Sequence, residues 1–520
     1  MGENVVFPFH AGCKNNVKSA AIKTFLPLLA GVMINCGALA QGELPDSVKQ
    51  VMHDQGISEQ EFGVLVMPLK DGGGGKVRLS LHADRPMSPA STMKVLTTTV
   101  GLETLGPDFR WKTAILSTGA RDGEVLRGPL YLRGGGEPNL SWDKLDMMLR
   151  ELRAQGIREI DGDLVLDRSY FKPARFDLGV PPFDETPAQS YNVIPDALLV
   201  SSNLLDLRLA SSAEAVAVNF MPPLDGVVVA SKLNVVDQAC AEWDEEWPLP
   251  DVENEADGSI KVTLHGEFPR QCINRTASNI LDRNQYIARL VRGLWRELGG
   301  SWSGTVQDGV TPVNATLLVE HVSEPLSDIV KIVNKRSDNA MARTIYLTLG
   351  AQQAATADAL SLPAAQASVR QWLGAHHIND DGIVLENGSG LSRIERISPR
   401  QLAEVLQAAA AGKWSAEFSA SLPIVGVDGT MKKRAGKGMT PGAARIKSGT
   451  LNNTRAVAGY VNDTHGRKWI VVGMINRPDA TPGRAVLDAL IDWVANSPVK
   501  SAHHTHASHG SRASQDKRAG

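Results

Sequence analysis

The sequence predicts an α/β (α+β) fold, namely an α/β sandwich with a central antiparallel sheet that is interrupted by a large, mostly β insertion. Two observations lead to this prediction. Helical periodicity occurs on both sides of a long region of short β-branched runs. Strand patterns occur near both ends of the chain, so one sheet would draw its strands from both ends. The 520 residues suffice for about three domains at roughly 100–200 residues each.

A hairpin and a helix are the first predicted elements. Residues 61–83 show two apolar, partly alternating runs separated by the glycine-rich turn at 71–75. A glycine run can indicate a phosphate loop, but Lys76 is followed by Val77 and not by the hydroxyl residue that this motif requires. The sequence from Pro89 onward then predicts a helix that ends at Gly106-Pro107.

The middle of the chain has a different texture. Residues 113–285 contain short β-branched runs with many turn residues, and we expect them to form a mostly β insertion of one or two subdomains. The domain that surrounds the insertion is then expected to be split into 41–112 and 286–500. Its later part is predicted to contain helices at 284–299, 326–334, 340–349 and from 484, and strands at 443–448, 455–462 and 468–475.

The two ends are expected to lie outside the fold. Residues 1–40 combine a basic start, an apolar run and the small-residue site Ala38-Leu39-Ala40, which predicts a signal peptide cleaved after Ala40 and export to the periplasm. The apolar run is shorter than the roughly 20 residues of a membrane-spanning helix, so at most peripheral membrane association is expected. The His-rich, polar residues 501–520 predict a disordered tail without a defined metal site.

Charge and cysteine content narrow the function further. The formal net charge is −3, so the chain has no overall basic field for nucleic acid, and no nucleic-acid partner is predicted. Cys240 and Cys272 would remain after export and predict one disulfide, with two buried free thiols as the alternative. The sequence has no CxxC or HExxH motif, and neither a metal nor a cofactor is predicted.

Three short motifs occur in the order Ser91-Thr-Met-Lys94, Ser337-Asp-Asn339 and Lys447-Ser-Gly449. The first two patterns are weak alone, because they recur at Ser141, Ser169, Ser497 and Ser514 and at Ser201-Ser202-Asn203. Only Ser91 begins a predicted helix with its lysine on the same face, and only Ser337 falls between two predicted helices. Their joint order and setting favour a catalytic site over chance.

These residue types suit nucleophilic catalysis. A serine hydroxyl is a weak nucleophile until a base takes its proton, and a desolvated lysine beside another cation can be that base near neutral pH. Lys94 is the expected base, and Lys447 is the expected second cation. Lys447 could also bind a carboxylate, while Gly449 would let a substrate backbone lie close to its strand.

The three motifs resemble those of the penicillin-recognising, β-lactamase-like serine acyl-transferases. The long separation of Ser91 from Ser337 is similar to that of the class C low-molecular-mass penicillin-binding proteins, the D-alanyl-D-alanine carboxypeptidase/endopeptidases of the penicillin-binding protein 4 type. Further similar stretches are Gly135-Gly-Glu-Pro-Asn-Leu140, Ile160-Asp-Gly-Asp-Leu-Val-Leu-Asp167 and Asn387-Gly-Ser-Gly-Leu-Ser-Arg393. Ser448 stands where threonine is more usual.

The resemblance implies a role for each motif residue. Ser91 would be acylated, Lys94 would be its general base, and Ser337 and Lys447 would return a proton to the leaving D-alanine. Asn339 would hold the substrate amide, and the N–H groups of Ser91 and Thr450 would bind the oxyanion. The terminal carboxylate would lie against Lys447, Ser448, Gly449 and Thr450, and Asp184 would contact the amino end of the peptide.

The implied partners are peptidoglycan stem peptides that end in D-Ala-D-Ala, with β-lactams as acylating inhibitors. A β-lactamase-type hydrolase is one alternative, although the sequence lacks the E-x-x-L-N string of class A enzymes. A non-catalytic binder of peptidoglycan or β-lactam is another, although the chain retains all five motif side chains.

Overall fold

The computed structural model of the chain describes residues 43–69, 76–181, 184–243, 248–356, 358–434 and 441–496. The predicted signal peptide, the turn at 71–75 and the His-rich tail lie outside the described residues. Within the described ranges, no helix is long and apolar enough to cross a membrane. The same ranges contain no cluster of three or more His, Cys, Asp or Glu side chains that could hold a metal ion.

An antiparallel sheet forms the centre of the fold. Its described strands lie in the order Leu79–Leu81, Phe62–Pro68, Lys468–Asn476, Thr454–Asn462 and Ala444–Leu451. Val64 lies opposite Leu81 on one side and Gly473 on the other, so the two ends of the chain do form one sheet. The predicted hairpin and the three C-terminal strands are confirmed. The strand with the third motif, Ala444–Leu451, is at the edge of the sheet.

Helices cover both faces of this sheet and also occur in the inserted region. They are α1 (Asp46–Asp54), α2 (Met93–Leu105), α3 (Trp142–Ala154), α4 (Arg283–Glu297), α5 (Leu326–Arg336), α6 (Asn339–Gln353), α7 (Ser361–Ala375), α8 (Pro399–Ala411), α9 (Ser415–Ser421) and α10 (Gly483–Asn496). One face of the sheet shares a hydrophobic cluster with α2 and α5 to α9, and the other packs on α1 and α10. Helices α2, α4, α5, α6 and α10 match the predicted ones.

Helix α2 is buried on all sides, from Met93 through Leu102. Most polar side chains that are buried in this way form hydrogen bonds. The Thr98 hydroxyl donates to the Lys94 carbonyl at 2.6 Å, and the Thr97 hydroxyl donates to the Gly388 carbonyl at 2.5 Å. Helix α2 is thus fixed in the middle of the α/β sandwich, and Lys94 on its first turn is fixed with it.

The inserted region contains five described sheets. One has the strands Ser301–Trp302, Glu159–Asp161, Val125–Arg127 and Ala120–Asp122, and a second has Val306–Asp308, Leu164–Asp167, Leu130–Arg133, Lys112–Ser117 and Thr316–Val322. Three smaller sheets lie between these in sequence. The first has Val216–Met221, Leu205–Ser211 and Ile273–Ser278, and the second has Val227–Ser231, Ile260–Leu264 and Asp251–Asn254. The third has Asn234–Val236 and Glu267–Pro269.

The strand pairing moves one predicted boundary. The sequence places the end of the insertion at 285, but Thr316–Val322 pairs antiparallel with Lys112–Ser117. Helix α4 also packs into the hydrophobic cluster of the insertion, through Tyr286 and Leu290. Helical periodicity therefore returns before the chain leaves the insertion. We propose that the inserted region spans residues 112–322 and that the later catalytic segment begins near α5.

A disulfide bond joins Cys240 to Cys272 within the nested part of the insertion, at a sequence separation of 32. Cys272 is buried, whereas Cys240 is exposed. The structure therefore favours the paired cysteines over the alternative of two buried thiols.

Replacing both Cys240 and Cys272 by serine should loosen the nested sheets. A cross-link over this separation limits the conformations of the unfolded chain, which raises the free energy of unfolding by roughly 3–4 kcal/mol. Limited proteolysis should cut the variant faster between residues 205 and 278 than the wild type. Reductant should accelerate cleavage of the wild type and leave the variant unchanged. Equal cleavage rates under all these conditions would contradict a stabilising bond.

Candidate active site

Ser91 lies in a short 3-10 turn, Ala90–Thr92, which leads directly into α2. The Thr92 hydroxyl donates to the Pro89 carbonyl at 2.7 Å and thereby closes this turn. Because Lys94 follows three residues later, its side chain returns along the same face, and its Nζ lies 2.9 Å from Ser91 Oγ. The predicted juxtaposition of serine and lysine is present in the structure.

The amine of Lys94 has two further contacts. It donates to Asn339 Oδ1 at 2.6 Å and to the Ser389 carbonyl at 2.6 Å. A neutral amine has two hydrogens and one lone pair. When the two carbonyl oxygens accept both hydrogens, the lone pair remains for the Ser91 hydroxyl, so this geometry suits an amine that takes a proton from Ser91.

Burial is the main cause of the unusual acidity of Lys94. The side chain is fully buried, which lowers its pKa to about 7, while the nearby carboxylates of Asp338 and Glu395 act in the opposite direction. Of the two causes expected from the sequence, desolvation and a second cation, desolvation dominates the shift at Lys94. The repulsion between the two lysines acts on Lys447. Burial lowers the pKa of Lys447 well below its usual value, and the positive charge of Lys94 lowers it further.

The second motif forms the connection between α5 and α6. Ser337 ends α5 in the left-handed region at φ 62°, and the Asp338 carboxylate accepts the Met341 N–H at 2.8 Å and caps α6. Lys447 Nζ donates to Ser337 Oγ at 2.8 Å, so the second and third motifs meet here. Asn339 begins α6, and its Nδ2 donates to the Tyr191 carbonyl at 3.0 Å. This bond orients Asn339 Oδ1 toward Lys94.

The third motif lies on the edge strand, beside the turn that carries Ser91. A Cβ atom added to Gly449 would lie 2.7 Å from the Pro89 carbonyl oxygen and 3.1 Å from Ser91 N. The glycine is thus required by the close approach of the Ser91 turn, a reason that the sequence analysis did not give. Ser448 Oγ donates to Thr430 Oγ1 at 2.8 Å, so its hydroxyl is held at the side of the strand.

A cavity of about 840 Å³ brings the predicted residues together. Those that line it are Ser91, Ser337, Asn339, Ser448, Gly449, Thr450 and Asp184, and the buried Lys94 and Lys447 contact Ser91 and Ser337. The copies of the two weak patterns at Ser141, Ser169 and 201–203 do not line it. Further lining residues that the sequence analysis did not assign include Glu185, Tyr191, Arg393, Arg434 and Arg455.

Asp184 is already engaged within its own loop. Its carboxylate accepts the Thr186 N–H at 2.9 Å, Asn192 Nδ2 at 2.6 Å and the Tyr191 hydroxyl at 3.2 Å. Burial raises the pKa of Asp184, but these hydrogen bonds outweigh it and the net shift is downward, so the carboxylate stays charged. The neighbouring Glu185 is more exposed to the same cavity, a feature that the turn-like sequence did not reveal.

Comparison with known proteins gives a consistent result. The chain is similar to D-alanyl-D-alanine carboxypeptidase of an Actinomadura species, with 28% identity over 93% of this chain and 91% of that protein. It is 29% identical to D-alanyl-D-alanine carboxypeptidase DacB of Haemophilus influenzae, over 75% of this chain and 80% of that one. The crystal structure of penicillin-binding protein 4 from Haemophilus influenzae superimposes with a TM-score of 0.70 and 25% identity, over 87% of this chain and all of that one.

The family model described as D-Ala-D-Ala carboxypeptidase 3 (S13) matches residues 44–497. This range contains all three motifs and the inserted region between the first two. The fold and the motif geometry agree with the match, and the chain belongs to the D-Ala-D-Ala carboxypeptidase 3 (S13) family.

Proposed function

We propose that this protein is a serine-type D-Ala-D-Ala carboxypeptidase that removes the terminal D-alanine from peptidoglycan stem peptides and also cleaves peptide cross-links. The observation that supports this most is the buried Lys94 amine, whose two hydrogens are engaged by carbonyl oxygens and whose lone pair can reach Ser91. The names of the relatives, D-alanyl-D-alanine carboxypeptidase and penicillin-binding protein 4, agree with this substrate class and with acylation by β-lactams.

Acylation begins with proton transfer from Ser91 to neutral Lys94. Ser91 Oγ attacks the carbonyl carbon of the penultimate D-alanine, and the N–H groups of Ser91 and Thr450 stabilise the oxyanion. Collapse of this intermediate breaks the peptide bond, and the proton that Lys94 took from Ser91 passes to the leaving amine through Ser337 and Lys447, whose Oγ and Nζ atoms lie 2.8 Å apart. Water then attacks the acyl-enzyme, releases the shortened peptide and restores the Ser91 hydroxyl.

Substrate orientation follows from the groups along the edge strand. The terminal carboxylate would lie against Lys447, Ser448 and Thr450, where an adjacent anion favours the ammonium form of Lys447. Gly449 keeps the strand beside Ser91, so that the scissile bond and the carboxylate site lie close together. Asn339 would hold the substrate amide, and Asp184 would contact the amino end of the peptide from the insertion.

Release of D-alanine tests the function directly. A peptide ending in D-Ala-D-Ala should yield free D-alanine with the wild type and none with Ser91→Ala, because the variant lacks the nucleophile. A labelled penicillin should add one adduct by intact mass, lost in Ser91→Ala but kept in Ser141→Ala and Ser169→Ala. Rapid penicillin turnover without D-alanine release would favour a β-lactamase, and binding without any adduct would favour a non-catalytic protein.

The rate of penicillin acylation should rise with pH through about 7, because only the free amine of Lys94 can accept the serine proton and its pKa is lowered to about 7. Lys94→Ala should lower the acylation rate by 10²-fold or more and abolish this pH dependence. Rapid mixing with a fluorescent penicillin between pH 5 and 9 measures both effects. A near-normal rate in Lys94→Ala would require a different base.

We also propose that the protein is exported to the periplasm, in line with the sequence of residues 1–40 and with a disulfide bond. N-terminal sequencing of protein recovered from the periplasm should begin at Gln41. A mature protein that still begins near Met1 would refute this proposal.

A further inference from the structure

A buried carboxylate outside the three motifs organises the loop behind the Lys94 amine. The side chain of Glu395 is fully buried, at 0% exposure. Its Oε1 accepts the backbone N–H groups of Glu386 at 3.3 Å, Asn387 at 3.0 Å and Gly388 at 2.8 Å, and its Oε2 accepts that of Gly390 at 2.9 Å. One side chain therefore satisfies four amide groups of a single short loop.

This loop contacts the proposed base and the turn that carries the nucleophile. The Ser389 carbonyl accepts from Lys94 Nζ at 2.6 Å, and the Gly388 carbonyl accepts from Thr97 on the same helix. Gly390, at φ +80°, lies so close to Ala90 that an added Cβ would be 1.8 Å from the Ala90 carbonyl oxygen. The position of the loop therefore sets the position of one of the two acceptors on Lys94.

The peptide of Ser389 is also fixed from within the loop. Asn387 Oδ1 accepts the Ser389 N–H at 3.0 Å and the Ser389 hydroxyl at 2.7 Å. Both residues are buried, so this loop has no water-exposed alternative for these groups. Glu395 holds the N–H groups on one side of the loop, and the Ser389 carbonyl points to Lys94 on the other.

We propose that Glu395 is a positioning residue for acylation, which holds the 386–390 loop so that the Ser389 carbonyl accepts one hydrogen of Lys94 and leaves the lone pair for Ser91. The inference rests on the proposed function, because it takes Lys94 as the base. Without this acceptor the amine would turn between partners, and fewer of its orientations would be productive.

The charge of Glu395 has a separate and measurable effect. Lys94 faces the carboxyl groups of Asp338 and Glu395 and the amine of Lys447, and Glu395 itself faces Glu386 and Arg343. The net shift of the Glu395 pKa is upward, because burial outweighs the N–H groups of the loop that oppose it. Where Glu395 is ionised it favours the ammonium form of Lys94, so removing its charge should extend the free amine to lower pH.

Glu395→Gln and Glu395→Asp separate position from charge. The glutamine keeps the size of the side chain but has no charge. Its NH2 group would face at least one of the four backbone N–H groups, and two donors cannot form a hydrogen bond. The aspartate keeps the charge but is too short to reach the loop in the same way. The matched control is Glu404→Gln, a half-buried glutamate of α8 that lies near Arg400 and Asp84 and does not line the cavity.

The measurement is the pH dependence of penicillin acylation, divided into initial binding and the acylation step. Both Glu395 variants should lose about tenfold or more in the acylation step, with little change in initial binding. Where Glu395 is ionised, the acid limb should move to lower pH in Glu395→Gln and stay in place in Glu395→Asp. Glu404→Gln should behave as the wild type. A thermal melting curve for each variant shows whether it is folded.

Two results would overturn the inference. One is a wild-type acylation step in folded Glu395→Gln, and the other is a loss confined to initial binding. If Glu395→Gln does not fold, Glu395→Asp becomes the test, and an unchanged acylation step in that variant would refute the inference. Failure of the proposed function is distinguishable, because the wild type itself would then form no adduct at Ser91.

Discussion

The chemistry of the site depends on the burial of one amine, that of Lys94, against two carbonyl oxygens. Lys94 in water would be an ammonium ion and a useless base at neutral pH. Full burial lowers its pKa to about 7, and Asn339 and Ser389 supply the acceptors that make an uncharged amine acceptable in the interior. Because the amine is buried, every nearby charge alters the equilibrium between the ammonium and the free-amine forms of Lys94.

Much of the fold serves to bring those partners together from distant parts of the chain. The central sheet joins both ends of the chain, and its edge strand presses Gly449 against the Ser91 turn. The two-residue connection between α5 and α6 places Ser337 beside Lys447. The first residue of α6, Asn339, then contacts Lys94. Helix α2 holds Lys94 in the interior of the sandwich, directly after the turn that carries Ser91, and the buried amine is shielded from water.

The sequence allowed some of this to be predicted and not the rest, for physical reasons. Helices α5 and α10 have a clear apolar face, α2 ends before Gly106-Pro107, and the three motifs lie on or directly beside predicted elements. Helices α7 and α8 are rich in alanine, which marks a helical face only weakly. Ser389 contributes a backbone carbonyl and Glu395 acts through backbone amides, so neither has a side-chain pattern that points to Lys94.

The insertion lines the cavity with the loop that contains Asp184 and Tyr191, and a backbone contact links this loop to a motif residue. The Tyr191 carbonyl accepts Asn339 Nδ2, and the Tyr191 hydroxyl donates to Asp184. The amide of Asn339 has an acceptor oxygen and a donor nitrogen on opposite sides, so the bond from its nitrogen to Tyr191 favours the orientation in which its oxygen faces Lys94. The loop that would receive the amino end of the substrate thus also orients Asn339, so a displacement of this loop would change both substrate binding and the acceptors of the base.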